Sequence, residues 1–313
     1  MYTDEHGNKW WKGNLHTHTT RSDGRMSPED CIALYRANGY DFLALTDHWK
    51  ISENEEADGM LLLSGCEYDF GRRVQDGIFH IVAVGCERDP GVTREDGPQG
   101  CIDKIHAAGG VADLAHPAWS MNTLAQLMPL SGVDYTEIFN SVSDLPANCR
   151  PYSGASIDLL AAQGVIWKTA AVDDTHWYQK DACRAYIWVK AEECTREAIL
   201  AAIRAGDFYS SEGPRMEVTL EREANAVRVR CPKEDHVSSV IFFTDTAWTG
   251  HRSDVGEDLT EAAFPLTGRE TFVRVELRDK EGRSGWGQTV GIANLELEVR
   301  GKREQVRFSG PRA

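Results

Sequence analysis

Long apolar runs are missing from this sequence, which argues against a membrane-spanning helix. No stretch of the 313 residues approaches the roughly 20 apolar residues that cross a bilayer. The chain starts Met-Tyr-Thr-Asp-Glu-His, without the basic and apolar segments that are typical of a secretory leader. We therefore expect a cytoplasmic protein that contacts no membrane.

Positive charge is also scarce. The chain has 34 lysine and arginine residues against 49 aspartate and glutamate residues, a formal net charge of -15 at pH 7. This balance argues against a protein that grips the nucleic-acid backbone over a wide surface. It leaves room for a small anionic substrate, because bound metal ions can reverse the sign of charge locally.

Paired cysteine motifs are absent as well. The eight cysteines are scattered without any Cys-x-x-Cys, and several, such as Cys66 and Cys86, lie beside apolar runs. Buried, reduced thiols are therefore favoured over a disulfide framework. A hydrophobic content of 41% with 27% charged residues is typical of a globular protein, and the length allows one large domain and a smaller one.

The stretch Lys12 to Gly24 contains the most informative motif. His16 and His18 alternate on a predicted strand, so both imidazoles project from one face. Asp23 follows in a Ser-Asp-Gly turn, close enough to bend back toward them. Two imidazoles and a carboxylate that converge are typical of a divalent-metal site. The alternative is a surface strand that carries two histidines.

Short apolar strands alternate with helical segments through the first two-thirds of the chain. Predicted helices begin at Ser27-Pro28, at Gln99, near Ser156 and at Glu197, and the last of them ends at Ala205 before Gly206. This order predicts an α/β fold with largely parallel strands, in which functional residues collect at the carboxyl ends of the strands. Those predicted ends carry His48, Glu67, His116, Asp174 and His176. His80 differs, because it precedes its apolar run.

Each of these residues alone has a structural explanation. Glu67 could be a solvated loop acid, and His116 before Pro117 could simply end a strand. Six of the ten histidines and three acids share the pattern, which favours a metal site. The remaining histidines are predicted to be structural or exposed: His6, His106, His236 and His251.

Taken together, these motifs resemble the PHP (polymerase and histidinol phosphatase) superfamily of metallohydrolases. The resemblance rests on His16-x-His18, Asp23, Thr46-Asp47-His48, Glu67, His80, His116 and Asp174-x-His176. The opening Trp-Lys-Gly-Asn-Leu-His-Thr-His-Thr is closest to the CehA/McbA-like branch. The resemblance implies a distorted (β/α)7 barrel with two or three metal ions at its carboxyl face.

The ligand sets follow from the same resemblance. It implies three groups: His16, His18, Glu67 and Asp174; Glu67, His80 and His116; and Asp23, His48 and His176. Glu67, Asp174 and His48 are the predicted catalytic residues. Asp23 stands where some members carry histidine, which bears on the identity of the third metal. Mixed imidazole and carboxylate ligands favour zinc, with manganese or iron as alternatives.

The predicted reaction is hydrolysis of a small-molecule phosphoester by a metal-bridging hydroxide. Three divalent ions against three ligand carboxylates would leave the site at about +3, which suits an anionic substrate. Hydrolysis of a carbamate, ester or amide is the main alternative, and a non-catalytic metal-stabilised binding module is a third. Candidate substrate-binding cations are Arg21, Lys50, Lys168 and Arg184, although an ordinary surface position is favoured for each of them. Glu137 and Asn140 are candidates for orienting a ligand, and the alternative is a buried polar pair with a purely structural role.

The hydrophobic pattern changes to a period of two beyond the segment Ser210 to Pro214. We predict a PHP metallohydrolase barrel over residues 1–209 and a smaller antiparallel, β-sandwich-like domain over residues 210–313. Its segments, which mostly alternate, are Met216-Val218-Leu220, Val227-Val229, Val237 with Val240 to Phe243, Val273-Val275-Leu277 and Leu295-Leu297-Val299. Trp248 and Trp286 could line a ligand surface or pack in the core.

Overall fold

The fold is taken from a computed structural model of the chain, which describes residues 1–57 and 59–292. The predicted strand from Leu295 to Val299 lies outside the described residues, as does the end of the predicted second domain. The helices are α1 (Pro28–Ala37), α2 (Gly97–Ala107), α3 (Pro117–Ser120), α4 (Leu124–Leu127), α5 (Gly154–Ala162) and α6 (Arg196–Ala205).

The strands fall into an earlier and a later set along the chain. The earlier strands are β1 (Tyr2–Thr3), β2 (Lys9–Asn14), β3 (Phe42–Ala44), β4 (Glu55–Ala57), β5 (Met60–Leu63), β6 (Gly65–Phe70), β7 (Phe79–Val84), β8 (Val111–Leu114), β9 (Tyr135–Asn140) and β10 (Lys168–Val172). The later strands are β11 (Tyr186–Lys190), β12 (Phe208–Ser211), β13 (Glu217–Glu221), β14 (Ala226–Arg230), β15 (Val237–Phe243), β16 (Ser253–Leu259), β17 (Glu261–Pro265), β18 (Phe272–Asp279), β19 (Ser284–Trp286) and β20 (Val290–Gly291).

The architecture is a mixed α/β fold with three sheets among the described residues. A 12-stranded sheet has the order β16-β15-β18-β19-β12-β11-β2-β3-β5-β4, with β1 and β20 paired off this path. A five-stranded sheet has the order β10-β9-β8-β7-β6, and β13, β14 and β17 form the third sheet. The pairs β2–β3, β3–β5, β8–β9 and β9–β10 are parallel.

A regular (β/α)7 barrel, as predicted, is not evident within residues 1–57 and 59–292. The strands divide between two sheets, and β7 runs antiparallel to both β6 and β8. The physical reason is local: β5 runs into β6 across one residue, and β6 returns into β7 through a loop with only a single 3-10 turn, so neither step can be a right-handed crossover. Two isolated parallel bridges, Thr17–Thr175 and His48–Glu67, still join the sheets where their strands end.

The helix signals in the sequence correspond closely to the structure. Ser27 caps α1 by accepting a hydrogen bond from the Asp30 amide, and Pro28 occupies the first turn, where its missing N–H costs nothing. Gly206 follows α6 with a φ of 84°, a left-handed conformation that glycine adopts without strain. The starts of α2 and α5 lie two residues before the predicted ones, at Gly97 and Gly154.

Helix α6 covers the end of the strands opposite the polar residues. Its Ile199, Leu200 and Ile203 are buried in the core cluster that also contains Leu15 of the first motif and Val172 of β10. The Arg196 guanidinium donates to the carbonyl of Gly85, just beyond β7, at 2.7 Å. This apolar closure leaves the other end of the strands for the polar side chains.

The later strands pair antiparallel, as the period-two pattern predicted. Val227, Phe264 and Val275 share one buried cluster between the three-stranded sheet and the large sheet. The large sheet is continuous across residue 210, because β12 pairs with β11 on one side and β19 on the other. The domain boundary there stays a prediction. Strand β16 was missed because its residues are mostly exposed and polar.

Two features of composition have simple structural counterparts. All eight cysteines fall in the described ranges and are free thiols, five of them buried. Among the residues described, no helix combines the length and the apolar character that crossing a bilayer requires.

Candidate metal centre

The predicted ligands meet where the strands end. His16 and His18 follow β2, His48 follows β3, and Asp174 with His176 follows β10. The bridges Thr17–Thr175 and His48–Glu67 hold these ends together. We call this side of the sheets the carboxyl edge. The nine side chains that converge there are candidate metal ligands, and we refer to them as the metal centre.

His80 and Glu67 reach the metal centre in ways that the sequence pattern did not show. Strand β7 runs antiparallel to its neighbours, so its first residues lie at the carboxyl edge, and the His80 carbonyl accepts from the Ala115 amide at 3.0 Å. Glu67 was predicted to close a strand, but it lies in the middle of β6. Both side chains project from the same face, because Glu67 and His80 are diagonal neighbours in the β6–β7 pair.

The first ligand group is compact and buried. Nε2 of His16 and Nε2 of His18 are 3.1 Å apart. Glu67 Oε2 lies 3.1 and 2.9 Å from these two atoms, and Asp174 Oδ1 lies 3.2 and 3.1 Å from them. Ligands of a tetrahedral zinc ion at about 2.0–2.1 Å would be about 3.3–3.4 Å apart. The four atoms are therefore spaced almost as such a coordination shell requires.

The second group uses the other oxygen of Glu67. Glu67 Oε1 lies 2.6 Å from Nδ1 of His80 and 3.5 Å from Nε2 of His116. Glu67 therefore points one carboxylate oxygen at each of two histidine groups while its side chain is only 1% exposed. This is the arrangement expected of a carboxylate that bridges two ions.

The third group is more open. Asp23 Oδ1 lies 3.5 Å from Nε2 of His176, and Asp23 Oδ2 lies 3.9 Å from Nε2 of His48. The side chain of Asp23 is 56% exposed, in contrast to Glu67. The third group thus faces solvent and is less tightly assembled than the first.

Hydrogen bonds orient two of the imidazoles. Nδ1 of His16 donates to Glu137 Oε1 at 2.6 Å, and Nδ1 of His176 donates to the Asp174 carbonyl at 2.8 Å. Because each Nδ1 then carries a proton, the neutral form of each ring presents the lone pair of its Nε2 to the ligand group. Carboxylate or carbonyl partners of this kind are usual behind metal-binding histidines.

Glu137 and Asn140, the two predicted orienting residues, lie behind the ligands as expected. Glu137 Oε2 accepts from the His116 amide at 2.9 Å and from Asn140 Nδ2 at 2.7 Å. Asn140 Nδ2 also donates to Asp174 Oδ2 at 3.0 Å. Glu137 and Asn140, at the carboxyl end of β9, therefore contact three predicted ligands, although neither residue is itself a predicted ligand.

The charges in the centre strongly influence one another. Burial alone would lower the pKa of His16 and His18, but Glu67 and Asp174 outweigh it and raise both values. Burial would likewise lower the pKa of His176, yet Asp23 and Asp174 raise it to about 9. Burial would raise the pKa of Glu67, but the surrounding histidines hold it well below its usual value.

The residues fit a divalent metal ion on observations independent of any resemblance. Asp174 Oδ1 and His48 Nδ1 are buried and have no hydrogen-bond partner among the described residues. Buried polar atoms without partners are rare and ask for an explanation such as an ion. His116 and Asp174 also have φ values of 29° and 50°, strained for side chains of this kind. With its imidazole and carboxylate donors, the cluster suggests divalent metal binding.

The cations proposed from sequence do not face the metal centre as a group. Arg184 is held by Asp144 at 2.6 Å and by Glu212 at 2.8 Å. Lys168 begins β10, at the end of the strand opposite the metal centre. Arg21 donates to the Ile51 carbonyl, and Lys50 is exposed. None of these four side chains is assigned to the substrate on this geometry.

Two acids that the sequence reasoning did not assign shape the loops of the third group. Asp47 Oδ1 accepts from the Thr19 and Ser22 amides at 2.8 and 3.1 Å, which folds the loop toward Asp23. Asp181 Oδ2 accepts from the His176 amide at 2.8 Å. The Thr46-Asp47-His48 motif pointed to Asp47, but no local pattern distinguished Asp181.

Metal binding is expected to release a proton from His176 at neutral pH. A metal ligand must be a neutral imidazole, whereas a pKa of about 9 keeps His176 protonated at pH 7 in the metal-free protein. Addition of Zn²⁺ in weak buffer at pH 7 should therefore release about one proton more from wild type than from His176→Ala. At pH 10 this difference should vanish, because His176 is then already mostly neutral. The absorbance of an indicator dye measures the proton release at each pH. A difference that persists at pH 10, or none at pH 7, would contradict the assignment.

Comparisons with known proteins show only distant structural similarity. No family model and no curated protein matches the chain. A two-domain protein from Bacteroides vulgatus containing a predicted PHP-like metal-dependent phosphoesterase is 15% identical, with a TM-score of 0.49, over 93% of this chain and 97% of its own. An amidohydrolase from Chromobacterium violaceum is 16% identical, with a TM-score of 0.40, over 54% and 89%.

A third similar structure is a provisionally assigned metal-dependent phosphoesterase from Bifidobacterium adolescentis. It is 15% identical, with a TM-score of 0.38, over 55% of this chain and 89% of its own. Identities near 15% with TM-scores below 0.5 do not define a family for this chain.

Proposed function

We propose that this protein is a metal-dependent hydrolase that cleaves a small-molecule phosphoester. The observation that carries the proposal is Glu67, whose two buried oxygens face separate histidine groups at 2.6 to 3.5 Å. Divalent ions bound there would lower the pKa of a coordinated water and stabilise charge on phosphoryl oxygens. Zinc suits the donor set best, with manganese or iron as alternatives.

Each of the proposed catalytic residues has a distinct place in the centre. Glu67 spans the first two groups, and Asp174 belongs to the first group with one oxygen held by Asn140. His48 is 25% exposed and lies between Glu67 and Asp23, at 3.4 and 3.9 Å. It can therefore contact both the buried groups and a substrate that enters from solvent.

We also propose that the fold is a distorted barrel of the PHP type, in the CehA/McbA-like branch. The strands β2, β3 and β6 to β10 make seven, and the bridges Thr17–Thr175 and His48–Glu67 link the ends of the open ring that they form. The proposed units are a hydrolase barrel over residues 1–209 and a β domain over residues 210–313. The substrate is a small anion, and the net charge of -15 disfavours nucleic acid.

The third group favours a phosphoester over a carbonyl substrate. Phosphoryl transfer spreads negative charge over the non-bridging oxygens and the leaving group, so an additional cation has charge to stabilise. Attack on a carbamate, ester or amide develops a single oxyanion, which two ions can already serve. Asp23 and His48 provide the additional position, and the exposure of Asp23 leaves it accessible to substrate.

A parallel assay of wild type and Asp23→Ala tests this choice on aryl phosphate and aryl carbamate substrates. For a phosphoesterase, kcat should fall about tenfold to a thousandfold, because one site of charge stabilisation is lost. The two buried groups should keep their metal, as measured by elemental analysis. Asp207→Ala is the matched control. Asp207 is also about half exposed and pairs with a charged residue, Lys190, but it is not one of the predicted ligands.

The opposite result would support the alternative hydrolase. Robust carbamate or ester hydrolysis by wild type, with no phosphate turnover and no sensitivity to Asp23→Ala, would replace the phosphoesterase proposal. A protein that binds metal but hydrolyses neither class would favour the non-catalytic binding module.

A further inference from the structure

The carboxyl end of β9 supports the metal centre from behind. Glu137 holds the His16 imidazole and the His116 amide, and Asn140 holds Asp174. All of β9 is buried, and neither residue is itself a predicted ligand. The positions of three ligands therefore depend on what keeps the end of β9 in place.

The first support for β9 comes from β19, in the later part of the chain. The Trp286 indole stacks on the Phe139 ring, with centroids 5.1 Å apart and planes 21° apart. Trp286 is 2% exposed and shares a buried cluster with Ile138 and Phe139. The guanidinium of Arg184 lies 5.1 Å from the same Phe139 ring. Phe139, which directly precedes Asn140, is thus covered by a side chain from the later strands.

The second support reaches β9 through Tyr152. The Asn140 amide donates to the Pro151 carbonyl at 3.0 Å, and Tyr152 forms an isolated bridge with Phe139. The Tyr152 hydroxyl bonds to Glu276 of β18, and Arg274 of β18 donates to it at 3.2 Å. Strand β18 therefore contacts the segment that lies against the end of β9.

Arg274 makes this second support rigid. Its side chain is fully buried and bonds Asp158 of α5 at 2.8 and 3.0 Å, in addition to its contact with Glu276. A buried guanidinium that loses a partner leaves an uncompensated charge, so this arrangement resists displacement. Arg274 thus joins β18 to α5, the helix that lies between β9 and β10 in the sequence.

We propose that the later β strands position the metal centre through these two contacts. Trp286 and Arg274 are positioning residues: they hold Phe139 and Tyr152, which keep Glu137 and Asn140 against the ligands. This inference assigns a role to the region after residue 210, and it rests on the proposed metal centre only for its effect on metal binding. Its structural part holds in the metal-free protein and can be measured there.

Hydrogen–deuterium exchange of the metal-free protein tests the structural part. Trp286→Leu removes the stacking partner of Phe139, and Trp286→Phe keeps an aromatic ring there. Phe264→Leu is the matched control, because Phe264 is fully buried among the later strands and packs on Phe242. Exchange in residues 137–141 should accelerate about tenfold or more in Trp286→Leu, and much less in the other two variants.

Equal acceleration in Trp286→Leu and Phe264→Leu, at equal loss of stability, would overturn the proposal. So would unchanged protection of residues 137–141 in Trp286→Leu. Either result would show that the later strands contribute only general stability.

Cobalt binding then measures the effect on the metal centre. The visible absorption of bound Co²⁺ reports its coordination, and competition with a chelator gives its affinity. Trp286→Leu and Tyr152→Phe should weaken Co²⁺ binding about tenfold and alter the spectrum, a smaller loss than the roughly hundredfold that removal of a group in direct contact with a ligand can cause. Trp286→Phe should restore most of the affinity. A wild type without Co²⁺ binding would contradict the proposed function, whereas equal binding by all variants would contradict the positioning role.

Discussion

Glu67→Gln is expected to lower kcat/KM by about a thousandfold or more. Glutamine keeps the size of the side chain but loses the negative charge and presents an amide nitrogen to one histidine group. Because both oxygens of Glu67 face ligand groups, the substitution impairs two metal positions together. Loss of about 4 kcal/mol of transition-state stabilisation, within the several kcal/mol that metal ions supply, corresponds to this factor.

Metal content distinguishes this mechanism from general damage. Elemental analysis of Glu67→Gln should show loss of metal relative to wild type. Glu270→Gln is a matched control, because Glu270 is also buried, at 3% exposure, and bonds Thr267 in the later part of the chain. His236→Ala serves as the histidine control, since the His236 side chain pairs with Asp258 at the surface, among the later strands. Comparable losses of activity in folded Glu67→Gln and Glu270→Gln would refute the assignment of Glu67.

Removal of metal is expected to lower the melting temperature by on the order of 10 °C. A ligand that binds only the folded state stabilises it by about 4 kcal/mol when its concentration is a thousand times Kd. For a chain of this length, each kcal/mol corresponds to about 2 °C or slightly more. The metal-free centre is also a poor arrangement, because buried Asp174 Oδ1 and His48 Nδ1 form no hydrogen bond among the described residues.

Calorimetry with and without a strong chelator measures this shift, and activity should disappear in the same samples. Re-addition of Zn²⁺ should restore both properties. Glu67→Gln is the internal control, because a protein that holds less metal has less stabilisation to lose. A chelator shift as large in Glu67→Gln as in wild type would mean that the stabilising ion lies elsewhere, and no shift in either would count against a metal centre.

Local signals in the sequence determined several elements correctly. Ser27 and Pro28 at the start of α1, and Gly206 after α6, act through contacts within a few residues. Alternation of apolar residues likewise predicted the antiparallel pairing of the later strands. Such features are predictable because their energies depend on neighbours along the chain.

Other features depended on contacts far apart in the sequence. The antiparallel direction of β7, which brings His80 to the carboxyl edge, follows from the pairing of β7 with β6 and β8. Strand β16 was missed because its exposed, polar residues carry no apolar alternation. The role of Asp181 depends on a loop that folds back on His176, which no spacing pattern shows.

The sequence by itself determined which residue types are candidate ligands of the metal centre and in what order they occur. Histidines and acids at the ends of apolar segments are recognisable because their chemistry differs from that of their neighbours. Only the tertiary structure decided that the two oxygens of Glu67 face different histidine groups, and that the exposed Asp23 completes an open third group. The distances between these atoms are set by sheet pairing and by buried side chains such as Glu137, because side chains distant in sequence can meet only through the packing of the whole chain.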